Sequence, residues 1–157
     1  MAGVVRDDND TETARNIFVE NLKFATEAFA KVGIRAQIEP INNIDVPGYF
    51  LCKPELGAEI IAKVGHENLY LQYDIYHAQM SEGYLAESIR KYIKIINHIQ
   101  IAQVPGRHEP DNGEINYPYL FNVLEDIGYE GWVSCEYKPL NETLGGLGWA
   151  RPYGIRG

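Results

Sequence analysis

The chain has 157 residues, 45% of them apolar and 23% charged, and its 22 acidic against 14 basic side chains give a formal net charge of −8. That balance is globular, the length suits one domain, and it is long enough to bury a core. The acidity argues against a nucleic-acid partner and against an anionic membrane surface, so cations are the ions to expect.

Residues 1–5 are small or apolar and are followed by Arg6, Asp7 and Asp8. This is too short for a secretory signal and too acidic for a transit peptide. No window approaches the ~20 apolar residues of a membrane span. Cys52 and Cys135 lie 83 positions apart without a CxxC spacing. They suggest a reducing compartment and neither a disulfide framework nor zinc. A cytoplasmic enzyme or binding protein is the expectation.

In chain order, the apolar spacing of Ile17, Phe18, Leu22, Phe24, Ala25, Ala28, Phe29 and Val32 predicts a helix over residues 11–32, stopped by Gly33. Residues 34–40 alternate as a short strand and end at Pro40. Pro54 opens a helix that runs to Val64, with Gly65 as its stop. Residues 69–74 read as a strand, 83–92 as a helix, 97–101 as a strand, 117–128 as a helix and 132–137 as the last strand. Helices alternating with short buried strands predict an α/β fold with a parallel sheet. On this evidence a doubly wound sheet and a barrel both remain open.

The polar residues on the strands narrow the choice. Each strand carries a polar pair at i and i+2 near its C-terminal end: Gln37 and Glu39, Gln72 and Asp74, His98 and Gln100, Ser134 and Glu136. Side chains alternate along a strand, so each pair shares a face. Polar inner pairs at four strand ends describe the mouth of a (β/α) barrel. The last members are spaced by 35, 26 and 36 residues, against about 31 for one unit of a ~250-residue, eight-unit barrel. Glu39, Asp74, Gln100 and Glu136 are all hard oxygen donors, suited to Mg²⁺ or Mn²⁺. Three adjacent carboxylates raise one another's pKa unless a cation holds them. For any single one, a hydrogen bond to loop backbone is the better reading. Four in register outweigh it, because isolated buried carboxylates are costly.

The segments after the strands add candidates. His77 follows Asp74 by three positions, at the start of what reads as a loop, where it could bond a substrate oxygen, act as an acid, or simply be a satisfied loop histidine. Residues 102–114 form a long loop with Arg107 and His108 as anchors for a substrate carboxylate. Arg107 is favoured by its bidentate fork. A local ion pair among Arg107, His108 and Glu109 is an even alternative.

These residues also carry a resemblance. The strings Gln100-Ile101-Ala102, Arg107-His108-Glu109-Pro110-Asp111 and Gly113-Glu114-Ile115-Asn116-Tyr117-Pro118 closely resemble hydroxypyruvate isomerases, members of the xylose isomerase-like TIM barrels. So do Asp74-Ile75-Tyr76-His77-Ala78-Gln79, Gly131-Trp132, Cys135-Glu136-Tyr137-Lys138-Pro139 and Gly146-Leu147-Gly148-Trp149. The resemblance implies a (β/α)8 barrel with a divalent metal, Mg²⁺ or Mn²⁺, on Glu39, Asp74, Gln100 and Glu136. It implies Glu39 and Glu136 as catalytic acid and base, and His77, Arg107 and His108 as substrate-binding residues. The implied reaction converts hydroxypyruvate to tartronate semialdehyde through an enediolate, with a small 2-oxo-3-hydroxy acid as partner. A ketose 3-epimerase is one related alternative, which Gln100 disfavours because that branch usually has His there; an apurinic endonuclease is another, disfavoured by the net charge of −8 and the scarcity of metal-ligand histidines.

The resemblance covers residues 1–149, and residues 150–157 read as a divergent tail. Only the fifth to eighth barrel strands can be placed, with residues 1–5 resembling the end of the fourth. The expectation is a partial barrel. It is either an isomerase by lineage or a non-catalytic remnant that binds metal or a partner chain. Two copies could associate to complete the barrel.

Overall fold

The computed structural model describes residues 1–5 and 11–155. Helix α1 (Thr11–Ala30) leads to strand β1 (Ala36–Ile38), and α2 (Pro54–Val64) to β2 (Leu69–Asp74). Two helices follow, α3 (Ile75–Ser81) and α4 (Leu85–Tyr92), before β3 (Ile96–Ile101). Helix α5 (Tyr117–Asp126), β4 (Trp132–Cys135) and a 3-10 helix (Gly145–Tyr153) complete the order. The four strands form one parallel sheet in the order β1-β2-β3-β4. Sequential parallel neighbours joined by helical crossovers are the repeating unit of a β/α fold.

The predicted elements recur with shifts at their ends. Helix α2 has the predicted limits, with Pro54 in its first turn and Gly65 (φ 67°) as the left-handed cap, its N–H returning to the Ile61 carbonyl. Helix α4 starts later than predicted because Gly83 (φ 65°) and Tyr84 (φ 52°) are both left-handed and cannot begin a helix. Helix α3 replaces the loop expected after Asp74. It forms because the Asp74 carboxylate accepts from the Tyr76 and His77 N–H groups at 2.8 and 3.3 Å and caps the helix start. Strands β1 and β4 are shorter than predicted, so Glu39 and Glu136 stand just past their strands.

The sheet has a dry face and a wet face. Leu69, Leu71 and Tyr73 of β2, with Ile99 and Ile101 of β3, are buried under the helices with Ile60, Ile89 and Leu120. Tyr70, Gln72, His98, Gln100 and Ser134 are only partly buried on the other face. A register irregularity places Asn97 as the extra residue between the pairs Leu71–Ile96 and Gln72–His98. A bulge of this kind lets two successive residues share a face.

The outer elements are less covered than the centre. On α1, Phe18, Val19 and Thr26 are buried, while Ile17 and Phe24 are exposed at 58% and 79%. A cavity of about 350 Å³ lies between α1 and the free edge of β1, lined by Phe18, Leu22, Ile38 and Glu39 among others. On β4, Trp132 is 79% exposed. Residues 3–5 pair antiparallel with 48–50 through Val5 N–H to Gly48 O and Phe50 N–H to Gly3 O, both at 2.9 Å. The 3-10 helix runs across positions 149 and 150. Ala150 is fully buried, and Tyr153 meets the Phe121 ring edge-on at 4.9 Å between centroids. No described helix is long and apolar enough to cross a membrane.

Candidate functional site

The C-terminal ends of the strands bring the predicted carboxylates together. One donor atom each from Glu39, Asp74, His77 and Glu136 lies within 4.8 Å of all the others. Gln100 is the register partner of Asp74, and Ser134 is the register partner of Gln100. The polar ladder is therefore continuous across strands. Gln72 Nε2 donates to Gln100 Oε1 at 2.6 Å, and His98 Nε2 lies 2.7 Å from Ser134 Oγ. The Gln100 oxygen keeps a second lone pair beside that bond.

The electrostatics of this group would suit a cation. Burial, then the charges of Asp74 and Glu136, push the Glu39 carboxyl up to about 7, with Arg107 opposing. Burial pushes Asp74 up to about 6 despite Arg107 and its two backbone donors. Burial, and then Arg107, push His77 down to about 4, so its ring is neutral at pH 7. Glu39 Oε1 is buried and has no hydrogen-bond partner. A buried, unpartnered carboxylate oxygen beside two other carboxylates is a costly arrangement that a divalent cation relieves. The residues present thus fit such an ion.

Arg107 already supplies part of that positive charge. Its Nη2 contacts Glu136 Oε2 and lies 3.4 Å from Asp74 Oδ2, and its Nε donates to the Glu136 carbonyl at 3.2 Å. The guanidinium also lies 5.0 Å from the centre of the Tyr76 ring, which suits cation–π attraction. Its backbone is left-handed (φ 59°). Two contacts hold it so: Arg107 N–H donates to Gln103 O at 2.9 Å, and Lys138 N–H donates to Arg107 O at 2.7 Å.

Gln103 anchors the loop from within. It is 1% exposed, its Oε1 accepts from Ile115 N–H and Val104 N–H, and its Nε2 donates to the Ile115 carbonyl. A Cβ on Gly113 would meet Gln103 Cγ and the Val104 carbonyl at 2.3 Å, so only glycine fits there. At the start of α5, the Tyr117 hydroxyl donates to Ala102 O at 2.6 Å and accepts from Ala102 N–H at 3.1 Å.

Among the sequence candidates, then, Glu39, Asp74, His77, Glu136 and Arg107 meet, with Gln100 adjacent. His77 sits in the first turn of α3 and is 4% exposed, not in a loop. The structure does not bring His108 to the carboxylates. Its Nδ1 lies 2.8 Å from the Lys138 carbonyl, so it ties two loops together. No ion pair forms among Arg107, His108 and Glu109. Glu109 instead accepts from Leu140 N–H at 3.1 Å, and Arg107 pairs with Asp74 and Glu136. The sequence reading passed over Asn42, which is wholly buried against His77. Its signal was weak: a second Asn follows it in a run that reads as an ordinary turn.

Comparison with known proteins matches this chain to a family. The xylose isomerase-like TIM barrel family model matches residues 1–153. The chain is 50% identical over 153 residues to a 2-oxo-tetronate isomerase of Cupriavidus necator, covering 98% of this chain and 59% of that protein. It is 46% identical over 143 residues to a hydroxypyruvate isomerase of Escherichia coli, covering 91% of this chain and 55% of that protein. A crystal structure titled AP endonuclease, family 2, from Brucella melitensis superimposes with a TM-score of 0.91 at 44% identity, over 94% of this chain and 57% of that one. The chain spans between half and three-fifths of the length of these relatives. By this match the chain belongs to the xylose isomerase-like TIM barrel family.

Proposed function

We propose that the site isomerises a small 2-oxo-3-hydroxy acid, hydroxypyruvate to tartronate semialdehyde, with Mg²⁺ or Mn²⁺ held by Glu39, Asp74, Gln100 and Glu136. The observation that carries this reading is the convergence of three carboxylates on a half-buried point, with an arginine and a neutral histidine beside them. The relatives named as hydroxypyruvate and 2-oxo-tetronate isomerases support the same substrate class. Both acids carry a ketone at C2 and a hydroxyl at C3, and differ by one hydroxymethyl group. The net charge of −8 disfavours a nucleic-acid substrate, and the unpaired cysteines suit the cytoplasm.

When bound, the divalent ion supplies a Lewis acid that polarises the ketone and hydroxyl oxygens. A glutamate, Glu39 or Glu136, takes a proton from C3 of hydroxypyruvate and leaves an enediolate. The other returns a proton to C2, and the C3 hydroxyl proton passes to the oxygen on C2, so composition is conserved. A Glu39 carboxyl near 7 can exchange a proton at neutral pH. Arg107 can hold the substrate carboxylate when it swings from Glu136, and His77 bonds an enediolate oxygen.

The deciding experiment assays hydroxypyruvate and 2-oxo-tetronate isomerisation by the purified chain, with chelator and with added Mg²⁺ or Mn²⁺. Metal-dependent turnover is expected. A folded chain that binds metal without turnover would select the non-catalytic alternative. The four strands also fit our reading of a partial barrel. Among the described residues β1 and β4 each lack a second strand neighbour, and pairing of two copies across these edges is the arrangement we infer. Light scattering should then give twice the monomer mass, and a stable folded monomer would reject it.

A further inference from the structure

We propose that Asn42 is a positioning residue that locks His77 in the form with its proton on Nε2, so that His77 serves the site as a hydrogen-bond donor and is barred from binding the metal. Four hydrogen bonds to the Asn42 side chain carry this. Its Oδ1 accepts from Ile44 N–H at 3.0 Å and from Asp45 N–H at 2.8 Å. Two backbone donors on one atom identify that atom as the oxygen. The opposite amide orientation would set an NH₂ group against two N–H groups.

With the oxygen fixed, the nitrogen is fixed too. Asn42 Nδ2 lies 3.2 Å from Asp45 Oδ2 and 2.6 Å from His77 Nδ1. The Asn42 backbone N–H also points at His77 Nδ1, at 3.4 Å. His77 Nδ1 thus faces two N–H donors and has no acceptor in reach from Asn42. A proton on Nδ1 would meet both donors head-on, so Nδ1 carries its lone pair. A neutral imidazole then holds its one proton on Nε2. That nitrogen faces Asp74 Oδ2, at 3.7 Å.

The consequence concerns the fourth metal donor. His77 lies close enough to Glu39, Asp74 and Glu136 to complete a ligand group. A histidine binds a metal through a nitrogen lone pair, and its other nitrogen must donate to an acceptor. Asn42 presents donors where that acceptor is needed. The Gln100 oxygen is left as the fourth donor, and His77 keeps an N–H aimed into the site. The part His77 plays towards an enediolate oxygen rests on the isomerase reading. The tautomer and its cause do not.

The test is nitrogen NMR on the uniformly ¹⁵N-labelled chain at pH 7 without substrate, with His77→Gln used to assign the ring among the four histidines. His77 Nε2 should resonate as a protonated ring nitrogen and Nδ1 as an unprotonated one. A scalar coupling across the hydrogen bond from Asn42 Nδ2 to His77 Nδ1 should be present. Asn42→Asp replaces the side-chain donor by an acceptor and should invert the pattern, with Nδ1 protonated and the Nε2 lone pair free. In that variant, added Zn²⁺ should give His77 Nε2 the shift of a directly ligated nitrogen, while in the natural sequence Nε2 should keep its attached proton when Zn²⁺ is added. A protonated Nδ1 in the natural sequence, or no coupling to Asn42, would overturn the proposal without any variant. An unchanged tautomer in a folded Asn42→Asp chain would overturn Asn42 as its cause. Absent turnover with the expected tautomer would instead remove the isomerase reading and leave this one standing.

Discussion

Asp74, at the end of the inner strand β2, and Glu136, just past the edge strand β4, face the same site but are held by different means. Asp74 is 3% exposed and fixed by the main chain, because its carboxylate caps α3 through two backbone N–H groups. The Glu136 side chain is 48% exposed, and among the described contacts its carboxylate is met by Arg107. Glu39, past the other edge strand, has one buried oxygen, Oε1, without a hydrogen-bond partner among the described residues, while Gln72 bonds its carboxyl group. The centre of the site is therefore built by secondary structure. At its rim the charge is met by a side chain brought from elsewhere, Arg107, and the carboxylates would suit a divalent ion as well.

That contrast can be broken most severely at the rim. Glu136→Gln removes a charge and, on the proposed reading, a proton-transfer group, but no backbone bond. Turnover should fall about 10²–10⁴-fold with the fold intact. Near-normal kcat, measured beside an unchanged circular dichroism spectrum, would take Glu136 out of the chemistry. Arg107→Met removes the guanidinium from Asp74 and Glu136 and, on the proposed reading, from the substrate carboxylate. A charged hydrogen bond is worth about 2 kcal/mol, so KM should rise about 10–100-fold. An unchanged KM for hydroxypyruvate would reject the carboxylate-binding role.

At the centre the effect that tests the backbone anchoring is smaller and falls on stability, separate from the loss of Asp74 as a proposed metal ligand. Asp74→Ala loses the α3 cap and should cost about 1 kcal/mol in a denaturant titration. Asp74→Asn keeps a capping oxygen and should cost little, yet weaken metal binding because a charge is gone. Equal destabilisation by both variants would show that the cap is not what holds Asp74.

The smallest effect is a pH dependence that joins the two regions. Glu39 and Asp74 are raised to about 7 and about 6 from their ordinary 4.5 and 3.8. Between about pH 4 and 7 the folded chain therefore binds more protons than the unfolded one. Without metal, these groups favour folding least at high pH, and their contribution falls as pH rises through that window. A divalent ion needs the ionised forms and reverses the trend. The rise in melting temperature on adding Mn²⁺ should be larger at pH 8 than at pH 5. An equal rise at both would disconnect these carboxylates from the metal.

Much of this arrangement is legible one strand at a time. The i and i+2 pairs state which residues share a face, but not the register: Asp74 does pair with Gln100, whereas Gln100 pairs with Ser134 and Ile38 with Leu71, so Glu136 and Glu39 are staggered from the row in which the sequence spacing sets all four. Pro54 and Gly65 bracket α2 by backbone geometry alone. Helix α3 was not legible, because its cap is a residue already assigned to the strand before it. Tyr84 was not legible as a helix breaker, because a left-handed tyrosine leaves no mark in composition. Asn42 and His77 are 35 positions apart, and no local pattern links a turn asparagine to a ring nitrogen in another unit.

The sequence by itself determined the β/α repeat, the polar strand ends and the family, since periodicity, turn residues and motif strings are local properties of the chain. Only the tertiary structure decided that His77 is buried in a helix, that Arg107 rests on Asp74 and Glu136, and that His108 serves the loops. It also decided which way the Asn42 amide points. Those facts depend on which groups meet across the ends of the sheet. There, hydrogen-bond direction and burial choose among residues that sequence spacing leaves equivalent.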